Sequence, residues 1–159
     1  MSRSDGATGS PAPNLDLALN PPTPVFDQEK LEVYRDSIAF CGWVGIFLSE
    51  IEGKTAARDQ LDRASTSIPL NIAEGNGKFS PRDRARFFEM ARGSALECAA
   101  CLDVLVVRRL TRAEKITEPK QQLARIVRML IGLLKRFSER AEVLREESGE
   151  YLGGEQEQD

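Results

Sequence analysis

The chain has 159 residues, with 22 basic and 25 acidic side chains, three cysteines and no histidine. The missing histidine removes the commonest general base and metal ligand, and three thiols cannot complete a four-ligand structural zinc site alone. No uninterrupted apolar run approaches the roughly 18 residues of a membrane span, and nothing resembles a signal peptide, so a cytoplasmic protein with no membrane contact is expected.

The net charge of -3 is unevenly placed: residues 1 to 53 hold 3 bases and 8 acids, residues 54 to 145 hold 19 and 11, and residues 146 to 159 hold none and 6. A basic centre between acidic ends can hold polyanions by releasing their counterions. The same count also fits helices that mix charges for solubility.

Residues 1 to 26 carry Pro11, Pro13, Pro21, Pro22 and Pro24 among small residues without a periodic apolar face, and read as a disordered arm. The first helix is expected over Asp27 to Glu52. Leu31, Tyr34, Ile38, Cys41 and Leu48 form one stripe, and Val33, Phe40, Val44, Phe47 and Ile51 a second, so two faces are buried. Gly42 and Gly45, on either side of Trp43, suit the close approach of another backbone.

The second helix is expected over Ala56 to Glu74. Ala57, Leu61, Ala64, Ile68 and Ile72 recur at steps of four, three, four and four, yet Pro69 lies inside the pattern. Proline removes a backbone donor and crowds the preceding turn, which predicts a bend. Gly75 suits the left-handed residue that closes a helix. The turn Gly75-Asn-Gly-Lys78 is not a phosphate loop, because Ile72 stands at the first glycine position and Phe79 follows the lysine.

The third helix opens on Ser80 as N-cap, Pro81 at its first position and Asp83 in its first turn. Phe87, Phe88, Ala91, Ser94, Ala95, Cys98, Leu102, Leu105 and Val106 share one face, with Gly93, Ser94 and Ala95 small enough to admit a neighbouring helix. Late in the helix the opposite face is apolar as well, through Leu96, Ala100, Val104 and Val107, which points to a subunit interface. Cys98 and Cys101 have the C-x-x-C spacing but lie inside a helix with no strand before it, and read as small packing residues rather than a redox pair.

A loop from Thr111 to Thr117 is expected before the fourth helix, whose start Glu118 and Pro119 mark. Leu123, Ile126, Val127, Leu130, Ile131, Leu133, Leu134, Phe137 and Ala141 share its apolar side. From Pro119 to Arg140 there are six bases and a single acid, Glu139, and Arg125, Arg128, Lys135 and Arg136 fall within roughly 100° of one another. No aromatic residue lies on that face, which argues against stacking on single-stranded bases. An acidic disordered tail is expected over residues 147 to 159, able to compete for the basic face. The bundle itself then spans residues 27 to 146. Four long helices with short links predict an all-α, antiparallel up-down four-helix bundle.

The segments Asp59-Gln-Leu-Asp-Arg-Ala-Ser-Thr-Ser-Ile-Pro-Leu-Asn-Ile-Ala-Glu-Gly-Asn-Gly-Lys78 and Arg86-Phe-Phe-Glu-Met-Ala-Arg-Gly-Ser-Ala-Leu-Glu97 resemble the four-helix bundle family named after reading frames inside intervening sequences of 23S rRNA genes. The resemblance is specific over residues 59 to 103 and looser to about residue 145. Accessory proteins of diversity-generating retroelements belong to the same superfamily. The resemblance implies a homopentameric ring, and for the retroelement relatives a reverse transcriptase as partner. Those relatives are markedly basic overall, whereas this chain is acidic in total.

Within the family signature lies a polar ladder, Arg63, Ser67, Asn71 and Glu74, at steps of four, four and three. It reads either as a binding site or as a set of groups that satisfy the backbone around Pro69, with Glu97 and Glu89 as partners for Arg63 or Arg58; the structural reading is favoured. Glu74 and Glu97 could form an acid-base pair, but no nucleophile, metal ligand set or cofactor motif accompanies them, so no catalytic residue, metal or cofactor is expected. The favoured function is nucleic-acid binding, to RNA or DNA, by Arg125, Arg128, Lys135 and Arg136 with a corner of Lys78, Arg82 and Arg86. The alternative is an adaptor whose apolar surfaces dock a larger protein.

Overall fold

A computed structural model of the protein describes residues 23–153, with side chains as far as residue 146. Among these residues the chain is all-α, with no strand. A short 3-10 turn, Asp27–Lys30, precedes four helices: α1 (Glu32–Ser49), α2 (Ala56–Gly77), α3 (Pro81–Val107) and α4 (Ala113–Gly153). Each helix packs on two others. Both α1 and α3 lie against α2 and α4, so α1 and α3 sit across the core of a four-helix bundle from each other.

The apolar periodicity decides which faces meet. All five α2 positions from Ala57 to Ile72 are buried, as are Val33, Phe40, Val44, Phe47 and Ile51 near α1. From α3 come Phe88, Ala91, Ala95, Cys98, Leu102 and Leu105, and from α4 Leu123, Ile126 and Leu130. Burying each large side chain among these stabilises the fold by roughly 1.5–3 kcal/mol before chain entropy is counted. Of the other α1 stripe, Leu31, Tyr34, Ile38 and Cys41 are only half-buried, while Leu48 is buried. Thr55 caps α2 by accepting from the Arg58 amide, and Ser80 caps α3 by accepting from the Asp83 amide.

Several expectations are corrected. Helix α1 is shorter at both ends than Asp27 to Glu52. Leu31 is extended (φ -77°, ψ 124°) and separates the helix from the 3-10 turn. At the far end Glu50 and Ile51 bond back to Phe47 and Leu48, a tightened last turn that leads into Gly53 at φ 77°. Gly75 is not a left-handed cap, because α2 continues through it to Gly77 and Gly53 is the positive-φ glycine among the described residues. Its role is contact: a Cβ there would lie 2.9 Å from Phe87 Cβ and 3.3 Å from the Arg84 carbonyl oxygen. Gly45 and Gly93 meet nothing within 4 Å, so neither admits a neighbouring helix within this chain.

The expected loop before α4 is also helical from Ala113 on, which leaves Thr111 and Arg112 in the turn. Ile116 is buried, and Ile116, Pro119, Leu123, Ile126 and Leu130 continue one stripe at steps of three and four. Pro119 therefore sits inside the helix rather than at its start. At its other end α4 reaches Gly153, so the boundary expected at residue 146 falls within the helix. Glutamate is a good helix former, no proline intervenes, and the helix runs through Gly149 to Gly153. Residues 1–22 of the arm expected over 1–26, and the last six tail residues, 154–159, lie outside the described residues.

Helix α3 closes on an unusual residue. Arg109 has φ 59°, the Leu110 amide bonds the Leu105 carbonyl, and the Arg109 amide bonds that of Val106. These bonds satisfy the last carbonyls of the helix by the left-handed closure that glycine usually supplies.

Candidate nucleic-acid interface

The basic residues of α4 divide into two groups. Arg125 is committed: its Nη2 donates to Asp36 Oδ1 at 2.7 Å, its Nε lies 2.6 Å from Asp36 Oδ2 as an ion pair, and Nη2 also lies 3.3 Å from Glu32 Oε1. The Gln122 amide supports this clamp by donating to the Asp36 carbonyl at 3.1 Å. Lys120 likewise pairs with Asp103 at 2.6 Å. Arg128, Lys135 and Arg136 are exposed, and among the described residues none of them makes an ion pair. Of the four bases expected to form the face, Arg125 ties α4 to α1, and the other three are available to a ligand.

The corner at the α2–α3 turn is built differently. Lys78 lies 3.3 Å from Glu74, and its ammonium sits 4.9 Å from the Phe87 ring centroid, with Arg86 over the same ring at 6.0 Å. Arg82 is exposed without an ion pair among the described residues. Arg84, which the sequence reading passed over, donates to the Lys78 carbonyl and lies 5.4 Å from the Phe137 ring of α4. Phe137 also packs on Phe88, with centroids 5.7 Å apart. These contacts bring the Arg136 and Arg140 stretch of α4 to the same end of the bundle as Lys78, Arg82, Arg84 and Arg86. Phe79 stands in the turn among these bases and is fully exposed.

The polar ladder is a bonded set joining α2 to α3. Asn71 donates to both the carbonyl and the hydroxyl of Ser67 at 2.9 Å, and the Ser94 hydroxyl bonds the Ser67 hydroxyl at 3.0 Å. Arg63 reaches Gln60, and Gln60 in turn donates to Glu97. Glu97 is therefore held through Gln60 rather than by Arg63 directly. Glu89 pairs with Arg92, and Arg58 donates to the Gly53 carbonyl at 2.8 Å, so the other expected cross-helix pairs do not form. Glu74 pairs with Lys78 while Glu97 bonds Gln60, about four α2 turns away, so the two carboxylates do not meet.

The expected interface residues of α3 are exposed: Leu96 to 47%, Val104 to 40%, Val107 to 82%, and Ala100 alongside them. Ala100 and Val104 line an open groove of about 580 Å³ with Gln60, Arg63, Glu97 and Arg108. Burial pushes up all three thiols: Cys41 to about 11, with help from the nearby Asp62 charge, Cys98 well above the usual range, and Cys101 in the same direction. Cys98 and Cys101, protonated and buried, are inert packing groups. Among the described residues no cluster of three ligating side chains could hold a metal, and no helix is long and apolar enough to cross a membrane.

An exposed basic helix face on an all-α four-helix bundle, with a bonded ladder between α2 and α3, defines a small helical protein. Residues 29–132 match the family described as 23S rRNA-intervening sequence protein, and the chain belongs to that family. A crystal structure of a protein of unknown function from the S23 ribosomal protein family of Bacteroides thetaiotaomicron is similar, with a TM-score of 0.62 and 22% identity over 65% of this chain and 98% of that one. That likeness is one of fold. Comparison with curated proteins finds no match.

Proposed function

We propose that the protein is a non-enzymatic, cytoplasmic, up-and-down antiparallel bundle that assembles with copies of itself and holds RNA on the basic face of α4. The antiparallel run is supported by the order of contacts: Gln60 with Glu97, Ser67 with Ser94, and Gly75 against Phe87. The exposed apolar residues Leu96, Val104 and Val107 support assembly, for which the family resemblance implies a ring of five.

One observation carries the binding reading. Arg128, Lys135 and Arg136 are exposed on α4 and spend no charge on a protein acid among the described residues. Contacts from such bases to phosphates release condensed counterions, so affinity falls steeply with salt. Fluorescence anisotropy of a labelled RNA, titrated at several salt concentrations, tests this. Binding at low salt with a steep slope is expected.

The second reading is an adaptor whose apolar α3 face docks a larger protein, such as the reverse transcriptase of the retroelement relatives. The exposure of Leu96, Val104 and Val107 favours it. It replaces the first reading if RNA fails to bind at low salt even after residues 147 to 159 are removed.

A further inference from the structure

A large aromatic side chain with no protein contact is an anomaly in a chain that buries its other phenylalanines or packs them at half exposure, Phe26 apart. Phe79 is 100% exposed, in the turn between α2 and α3. It follows Lys78 directly and precedes the cap Ser80, so a short turn with helices on both sides presents it. The bases around it converge from three elements: Lys78 from the turn, Arg82, Arg84 and Arg86 from α3, and Arg136 and Arg140 from α4, the last pair brought there by Phe137. The ion pair of Lys78 with Glu74 is at the surface and weakly held, and Arg82, Arg136 and Arg140 have no ion pair among the described residues.

We propose that Phe79 is a stacking platform for an unpaired base, and that this corner selects single-stranded over duplex nucleic acid. The inference rests on the nucleic-acid reading above and adds the class of strand. A basic track holds the backbone of a single strand, while an exposed ring takes the face of a base. Such stacking tolerates any sequence because every base has a π-face. A duplex offers its phosphates to the same bases but keeps its own bases stacked inside, so the ring would gain nothing from it. The α4 face of Arg128, Lys135 and Arg136 alone carries no aromatic residue and makes no such distinction. A second copy of this chain inserting Phe79 is the competing occupant, but the surrounding positive charge complements a polyanion better than another copy of the same basic corner.

The test compares labelled 12-nucleotide single strands, in RNA and DNA, with the duplex of the same sequence, using the full chain at low salt. Tighter binding of single strand than duplex is expected. Phe79→Ala should lower single-strand affinity about five- to hundredfold and leave duplex affinity unchanged, with Phe79→Trp retaining the wild-type preference. Full exposure means that either variant should keep its helicity by circular dichroism. Equal affinity of single strand and duplex, or no effect of Phe79→Ala, overturns the inference while leaving the α4 reading intact. A lower native mass for Phe79→Ala also overturns it, by making Phe79 a subunit contact. Failure of every oligonucleotide to bind removes the underlying reading and this one together. Whichever strand is held more tightly, RNA or DNA, identifies the source of the ligand.

Discussion

The Cys41 thiol donates to the Ser65 carbonyl oxygen at 3.0 Å. That carbonyl stands four residues before Pro69, so it is the one that proline leaves without a helical donor. A side chain from α1 thus repairs the gap in the α2 ladder. The repair needs a protonated thiol, and burial supplies one by raising the Cys41 pKa to about 11. Replacing Cys41 with valine should cost about 1–3 kcal/mol in urea denaturation, because a part-buried carbonyl loses its partner. In a Pro69→Ala background the restored amide takes over that role, so the same change should cost measurably less. Equal costs in both backgrounds would show that the contact is incidental.

Pro69→Ala alone should not stabilise the protein. The ring is buried and the Ser65 carbonyl already has a donor, so the new bond gains little while packing is lost. A clear rise in melting temperature would contradict this account.

Gly75 and Arg109 predict opposite outcomes. Gly75→Ala places a methyl 2.9 Å from Phe87 Cβ, between two packed helices, and should destabilise by about 1–3 kcal/mol. Arg109→Gly relieves a left-handed backbone at φ 59° and should stabilise by about 0.5–1 kcal/mol. Thermal melts of the two variants check both signs.

These cases also show what the sequence disclosed. Periodicity found the buried α2 stripe, the α3 face and the Ser80 cap, because apolar spacing and capping chemistry are local. It misread Gly75, since a glycine at a helix crossing and a glycine at a helix end have the same letter, and the Phe87 contact lies on another helix. It delayed α4 to Pro119, although Ile116 carried the stripe one turn earlier. In the candidate site it found the bases but not their commitments. The Arg125 clamp depends on Asp36, 89 positions away in sequence. Phe79 was legible in principle, as an aromatic with no place in either helical register.

Assembly is the next prediction. The wild type should have a native mass of several chains, five if the ring forms. Leu96→Glu with Val104→Glu places two charges on the exposed α3 face and should give smaller species with unchanged helicity. A monomeric wild type by native mass spectrometry would end the proposal.

The two kinds of α4 base can be separated by where each change is felt. Arg128→Gln, Lys135→Gln and Arg136→Gln remove charges that no protein acid holds among the described residues. Each should therefore reduce the dependence of log affinity on log salt by about 0.7 to 0.9 while leaving the melting temperature alone. Arg125→Gln removes the ion-pair partner of Asp36, whose side chain is only 15% exposed, and also loosens the link between α1 and α4. It should lower the melting temperature and leave the salt slope nearly unchanged, since its charge is already spent inside the protein. Anisotropy titrations at several salt concentrations, paired with thermal melts, distinguish the two groups. If Arg125→Gln flattens the slope as much as Arg128→Gln does, the clamp opens when nucleic acid binds, and the division drawn from the structure fails.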